Sequence, residues 1–306
     1  MLNSIIRLPI GDWVSDGTDW IIANFKGLFD VLRTIFLNLY EAVDWILQTP
    51  PFWVIILIVA AIAYFAKGWK LALGAVIGLL FVLSVGQWSN AMSTLALVLV
   101  STVLAVVLAV PLGILAAKSE VASRIIRPIL DFLQTMPAMV YLIPALLLFR
   151  VGVVPGIVAT VLFSIAPGVR LTELGIRGVD KEVVEAGQAF GSSSGRILRQ
   201  IQLPLALPSI MAGINQVIML ALSMVVIAGM VGAGGLGADV MAAISRLNVG
   251  LGFEAGASVV VLAILLDRIT GAFGAPRKNR KKKTKSDTDS GNGTGNRLVP
   301  AAHRAR

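Results

Sequence analysis

The sequence has no cysteine, one histidine, three tyrosines and few charges, and each scarcity excludes something. Without cysteine there is no disulfide and no thiol chemistry. The lone histidine, His303, sits in a polar C-terminal stretch, so no cluster with metal-ligand spacing can be assembled around it. No G-x-x-x-x-G-K-[ST] loop is present, so the chain does not itself hydrolyse a nucleotide by that mechanism. Charged residues make up only 14% and hydrophobic ones 57%, against about 25% and about 45–50% in soluble domains. With a mean hydropathy of +0.85, this composition is that of an all-α polytopic membrane protein. Asp131, Arg150, Glu173, Glu254, Asp267 and Arg268 fall near the ends of apolar runs, where they can snorkel, pair or cap. An acid in mid-span, which a proton-coupled carrier is expected to use, is not found.

What is abundant is apolar sequence in long runs. Seven are candidates to span a bilayer: about 51–66, 70–87, 91–117, 129–149, 153–171, 204–231 and 254–274. The net charge of +9 is concentrated just after the last run, in Arg277, Lys278, Arg280, Lys281, Lys282, Lys283 and Lys285. That position reads as a positive-inside topology anchor, with an anionic-lipid contact as second reading, and not as nucleic-acid binding. A cytoplasmic C-terminus follows. Counting back puts 172–203 (Arg177, Lys181, Arg196, Arg199) and 118–128 (Lys118, Arg124, Arg127) in the cytoplasm too. Seven spans then leave the N-terminus outside. Its first stretch, 1–50, lacks the order of a signal peptide and carries no basic excess.

Within that stretch, residues 19–48 place Ile21, Phe25, Leu28, Leu32, Ile35, Phe36, Leu39, Val43 and Ile46 at three- and four-residue steps. This predicts an amphipathic helix stopped by Pro50-Pro51, a brace along the bundle or a helix in the interface plane. The chain then divides into two additional spans at 51–90, a core at 91–275 and a basic tail at 276–306 expected to be disordered. Gly232, Gly234 and Gly237 match G-x-G-x-x-G formally. They follow a long apolar helix and not a strand, so a glycine-rich bend is the better reading. Gly74 and Gly78 have the spacing of a close helix contact.

The polar stretch 185–204, EAGQAFGSSSGRILRQIQLP, is longer than a connector needs to be. Asp180-Lys181-Glu182 starts a helix with acids in its first turn, and Glu185, Ala186 and Ala189 continue it. Phe190 is a single large apolar knob, and Gly191 suits a left-handed helix end. Ser192, Ser193 or Ser194 is placed to cap a following helix, and Pro204 to open the next span. A short helix protruding into the cytoplasm is a docking device; a plain solvated connector is the competing reading.

The spacing Glu185-Ala186-x4-Gly191-x9-Ile201-x-Leu203-Pro204 resembles the cytoplasmic loop of the permease subunits of binding-protein-dependent ABC importers, whose pattern is E-A-A, three residues, G, nine residues, I-x-L-P. It departs at one position, Gly187 for alanine. The stretches 134–156, 170–176 and 203–237 look like the permease of the glycine betaine/proline betaine importers. The resemblance implies a type I importer fold in a bacterial cytoplasmic membrane. It also implies a coupling helix formed by Glu185, Ala186, Gly187, Phe190 and Gly191 and seated in a groove of a cytoplasmic ATPase. The partners implied are an ATPase pair that binds ATP and magnesium, a second permease copy and an external solute-binding protein. No cofactor is expected in this chain. Met136, Tyr141, Phe163 and Met219 lie in the right runs to line a path, with ordinary core packing as the alternative. Two other classes stay open: an ATP-independent carrier or channel, and a membrane scaffold.

Overall fold

The computed structural model describes residues 10–274, so the basic cluster and the tail expected to be disordered lie outside the described residues. Within them every regular element is a helix. The chain begins with α1 (Ile10–Gln48), kinked at Phe25 (φ −115°, ψ 16°), and α2 (Phe52–Lys67). Gly68, at φ +87°, then turns it into α3 (Trp69–Ser84). Next come α4 (Trp88–Lys118), α5 (Glu120–Thr135), a short 3-10 turn at Ala138–Tyr141, α6 (Leu142–Phe149) and α7 (Val153–Arg177).

Three long helices form the centre: α4, α7 and, further along the chain, α10 (Leu203–Ala228). The α7 helix packs along both of the others. Their sequences are apolar all round, as a buried or lipid-bathed helix requires. Between helices in lipid there is little hydrophobic drive, so close approach depends on small side chains. Gly168 provides it: a Cβ there would stand 2.8 Å from the Cβ of Ala109 on α4 and 3.1 Å from Val217 on α10. Leu97, Ile157, Val217 and Ala221 fill the sealed interior. The hydroxyls of Thr160 and Ser164 are buried and satisfied by donating to carbonyls one turn back, Gly156 and Thr160, at 2.7 Å each.

The count of spans differs from the expectation. Four helical stretches are long and apolar enough to cross a membrane: Trp88–Lys118, Val153–Arg177, Ser194–Val231 and Val249–Ala272. Two bent pairs, α1 with α2 and α5 with α6, bring the total to six if each is one span. The seven expected runs fall short for two reasons. α2 and α3 have sixteen residues each, about 24 Å of helix against a hydrocarbon core of about 30 Å. The run 129–149 is not one helix: it bends by 110° between α5 and α6. Pro137 has no amide to donate, and Met136 before it is extended (φ −71°, ψ 137°).

The amphipathic helix is present and longer than 19–48. One face of α1 lies on the bundle through Tyr40, Val43 and Leu47. Phe29 stacks edge-on to Phe149 at 5.5 Å, and Arg33 donates to the Phe149 carbonyl at 3.1 Å. Asp30 pairs with Arg150 at 3.3 Å. The helix is therefore a brace. Ile21, Phe25, Leu28, Ile35, Leu39 and Ile46, expected on the same apolar stripe as Val43, point outward. The reason is that α1 has two apolar faces, and only one is used within the chain.

The glycine-rich bend also forms. Gly232, Gly234 and Gly235 have φ of +82°, +75° and +65°, and α11 (Gly235–Arg246) folds back from there. Thr94 accepts from the Leu236 amide at 2.8 Å, and Asn90 donates to Asp239 at 2.7 Å, so α11 is fastened to α4. Of the two spaced glycines in α3, Gly78 meets α12 (Val249–Gly274) at Val261, while Gly74 has open space.

Candidate coupling site

Between α7 and α10 the chain makes two short helices, α8 (Lys181–Ala189) and α9 (Ser194–Ile197). α8 starts where the sequence pattern places it. The Asp180 carboxylate accepts from the Glu182 amide at 3.0 Å, an N-cap worth about 1 kcal/mol. It ends in a Schellman motif: Gly191 donates to the Gln188 carbonyl at 2.8 Å, and Ser192 to that of Gly187 at 3.1 Å. The motif requires a left-handed residue after the cap, and Gly191 sits at φ +72°. Phe190, as the cap itself, is thrown clear of the helix and is 90% exposed. Val183 and Ala186 are exposed on the side from which it projects, so α8 shows an apolar stripe to its surroundings.

The flank of α8 next to that stripe faces the protein. Gly187 is buried there, and a Cβ on it would stand 2.8 Å from Cδ1 of Ile201 and 3.5 Å from Ile197. The departure from the E-A-A pattern thus sits at the contact between α8 and the next helix. Glu185 is exposed and borders a cavity of about 250 Å³ shared with Ile176, Arg177, Lys181 and Gln202. Glu185, Ala186, Gly187, Phe190 and Gly191 are therefore together on one small helix and its cap.

The second half of the loop departs from expectation. Ser193 is the N-cap residue of α9, but its side chain makes no cap bond; its carbonyl takes the Ile197 amide at 2.9 Å. Pro204 does not open a helix after a loop. The helical path runs on from α9 through a π turn (Leu198–Gln202) into α10. The Leu203 amide bonds to the Leu198 carbonyl, five residues back. The register shift comes just before Pro204, which has no amide to give, and lets the helix pass it. The non-helical part of the expected loop 172–203 shrinks accordingly, since α7 itself extends to Arg177.

The candidate path residues fall in different places. Tyr141, buried to 3%, packs with Met136 and Phe163 in one apolar cluster, its ring 6.2 Å from Phe163 and edge-on. Its hydroxyl donates to the Leu133 carbonyl. Met136 and Phe163 are only partly buried in that cluster. Met136 and Tyr141 also border a cavity of about 530 Å³ that Ser15 and Asp19 of α1 help to line. Met219 stands apart, exposed on α10.

One constellation the sequence did not single out lies beside α8. Glu173 is buried to 3% and accepts from Ser123 at 2.8 Å, from Arg127 at 2.9 Å and from Arg177 at 3.1 Å. Arg177 also holds Glu120 at 2.6 Å and donates to the Ala116 carbonyl at 2.8 Å. A second ion pair joins Asp131 to Arg170. The four-residue step from Glu173 to Arg177 was a legible signal; the partners on α4 and α5 were not. Among the described residues no group of His, Asp and Glu could hold a metal ion.

The chain is 44% identical over 279 residues to the glycine betaine transport system permease protein OpuAB of Bacillus subtilis, covering 91% of this chain and 99% of that one. It is 45% identical over 287 residues to the glycine betaine/carnitine transport permease protein GbuB of Listeria monocytogenes, covering 92% and 100%. To the glycine betaine/proline betaine transport system permease protein ProW of Escherichia coli it is 44% identical, covering 89% and 77%. An inward-facing structure of the MetNI methionine ABC transporter superposes with a TM-score of 0.55 at 22% identity, over 59% of this chain and 91% of that one, which establishes the fold. Residues 109–277, which contain α7 to α12 and the whole loop that carries α8 and α9, match the family described as binding-protein-dependent transport system inner membrane component, and this chain belongs to that family.

Proposed function

We propose that the chain is the membrane-spanning subunit of an ATP-driven importer of betaine-type osmoprotectants. It forms the path and takes its power stroke through α8. The observation that carries this is a helix of nine residues, capped at both ends, that presents Phe190 and an apolar stripe away from the bundle. Exposed apolar side chains on an otherwise polar loop favour a protein partner. In this reading α8 sits in a groove of a cytoplasmic ATPase subunit, two of which bind ATP and magnesium. A second permease copy completes the path, an external binding protein delivers the solute, and the C-terminus is cytoplasmic; the N-terminus lies outside if α3 joins the six as a seventh crossing.

The substrate class rests on the relatives, whose names specify glycine betaine, proline betaine and carnitine. Such solutes are zwitterions bearing a quaternary ammonium, which aromatic rings bind by cation–π attraction. A path with few charges suits a solute with no net charge.

The test is co-expression with the partner ATPase and binding protein, followed by reconstitution and uptake of a panel of quaternary amines. We expect a stable complex and ATP-dependent uptake of betaines. Failure of the chain to co-purify with the ATPase sinks the importer reading in favour of an independent carrier or scaffold. A complex that transports only other solutes sinks the substrate class alone. A cysteine placed at Ser193 should react only with reagents that reach the cytoplasm; labelling from outside inverts the topology.

A further inference from the structure

We propose that Arg177 and Glu173 form a clasp that passes the displacement of α8 to α4 and α5, and so to the bend at Pro137. The inference rests on the importer reading. It concerns how motion leaves the coupling helix, and the two residues are positioning residues that need touch neither solute nor ATP.

The physical argument starts from where Arg177 sits. It is the last residue of α7, separated from α8 by Gly178, Val179 and Asp180. Val179 is buried and Gly178 donates to the Leu174 carbonyl at 2.8 Å, so this link is packed and not slack. The three nitrogens of the Arg177 guanidinium go to three different elements: Nε to Glu173 on α7, Nη1 to Glu120 in the first turn of α5, and Nη2 to the Ala116 carbonyl in the last turn of α4. A planar fork with fixed donor directions cannot rotate without breaking at least one of them. Glu173 then ties the same point to Ser123 and Arg127, further along α5. A buried carboxylate with this many donors is held in one geometry, because any lost partner leaves charge unpaired.

The receiving element is built to move as a limb. Ser119 is the one residue between α4 and α5, extended at φ −127° and ψ 118°. α5 rests mainly on α4 and α7 and exposes Val121, Ile125, Ile129 and Phe132 on its far side. At its other end lies the 110° bend with Met136 and Tyr141. Two further ties to α7 exist: the Asp131–Arg170 pair, and the apolar contacts of Leu130 with Ile165 and Val169. The clasp is the tie nearest to α8, since Arg177 lines the cavity that Glu185 borders.

The experiment measures solute transported per ATP hydrolysed in the full reconstituted complex. Glu120→Gln is the mild probe: Glu120 is mostly exposed, so the substitution removes one prong without burying a lone charge. Arg177→Met removes all three prongs, and Arg177→Lys restores the charge but not the fork. For Arg177→Met we expect a complex that still assembles and hydrolyses ATP in response to loaded binding protein, with the transport ratio about tenfold lower. Arg177→Lys and Glu120→Gln should fall between it and the parent, at about two- to threefold lower. Were the ratio unchanged in both Glu120→Gln and Arg177→Met, or were uptake and hydrolysis to fall in parallel in both, the clasp would be structural and the proposal overturned. Because the parent complex is assayed beside the variants, failure of the importer reading shows as no uptake by the parent, and failure of the clasp shows as coupled variants.

Discussion

The crossing of α4, α7 and α10 and the loop that carries α8 use glycine for opposite ends. At the crossing, Gly168 removes a side chain so that two helices can close on α7. In the loop, Gly191 supplies a backbone conformation so that Phe190 can be held out from the protein. The first region is apolar, and around Gly168 it is sealed by side chains of α4 and α10. The second is capped and largely polar, and it leaves Phe190 and Val183 exposed. A membrane protein that had only to span would need the first region alone. The contrast is what the proposed role of α8 rests on.

Substitutions can break that contrast, and they rank by expected effect. Gly168→Leu should be the most damaging. It forces a large side chain against Ala109 and Val217, and overpacking of this kind costs about 3 kcal/mol or more. The yield of monodisperse protein in detergent should collapse; a normal yield and thermal midpoint would show the crossing to be looser than described. Gly191→Pro should insert and fold normally yet lose solute-stimulated ATP hydrolysis, because proline cannot adopt φ +72° and the Schellman bonds are lost. Glu185→Lys should do the same by reversing charge on the exposed helix. Full stimulation in both variants would detach α8 from coupling. Phe190→Ala should leave the thermal midpoint unchanged and weaken capture of the ATPase by about 2 kcal/mol, the scale of an interface anchor, read as the dissociation constant of the complex. Gly187→Ala should be the smallest. The gain from replacing a helical glycine, about 0.5–1 kcal/mol, is offset by moving the end of the Ile201 side chain. A net change within about 0.5 kcal/mol is expected, with coupling intact; a large loss would mean that Ile201 has nowhere to go.

The loop was legible because each of its signals is local. Asp180 two residues ahead of the amide it caps, Gly191 just after the cap and Phe190 between α8 and that glycine are all within one turn of what they affect. Where reading failed, the cause was not local. Pro137 announces a break but not its angle, which depends on α6 finding α7 and α1. Pro204 announces a helix start, yet a π turn five residues long carries the helix past it. The outward stripe of α1 could not be separated from its inward one, since both are apolar and the choice is made by Phe149 and α4.

The sequence by itself determined that this chain lives in a membrane as helices, and that a short capped helix stands between two long ones. Composition and period are properties of neighbours along the chain, and burying backbone in lipid leaves helix as the only form for such runs. The tertiary structure decided which charges meet. Glu173 and Arg177 stand four residues apart on one helix, but Ser123, Arg127, Glu120 and the Ala116 carbonyl reach them from 46 to 61 residues away. A charge near a span end is ambiguous in one dimension, where pairing, snorkelling and capping look alike. Only when α4, α5 and α7 close together does the buried carboxylate acquire its partners, one turn from the link to α8.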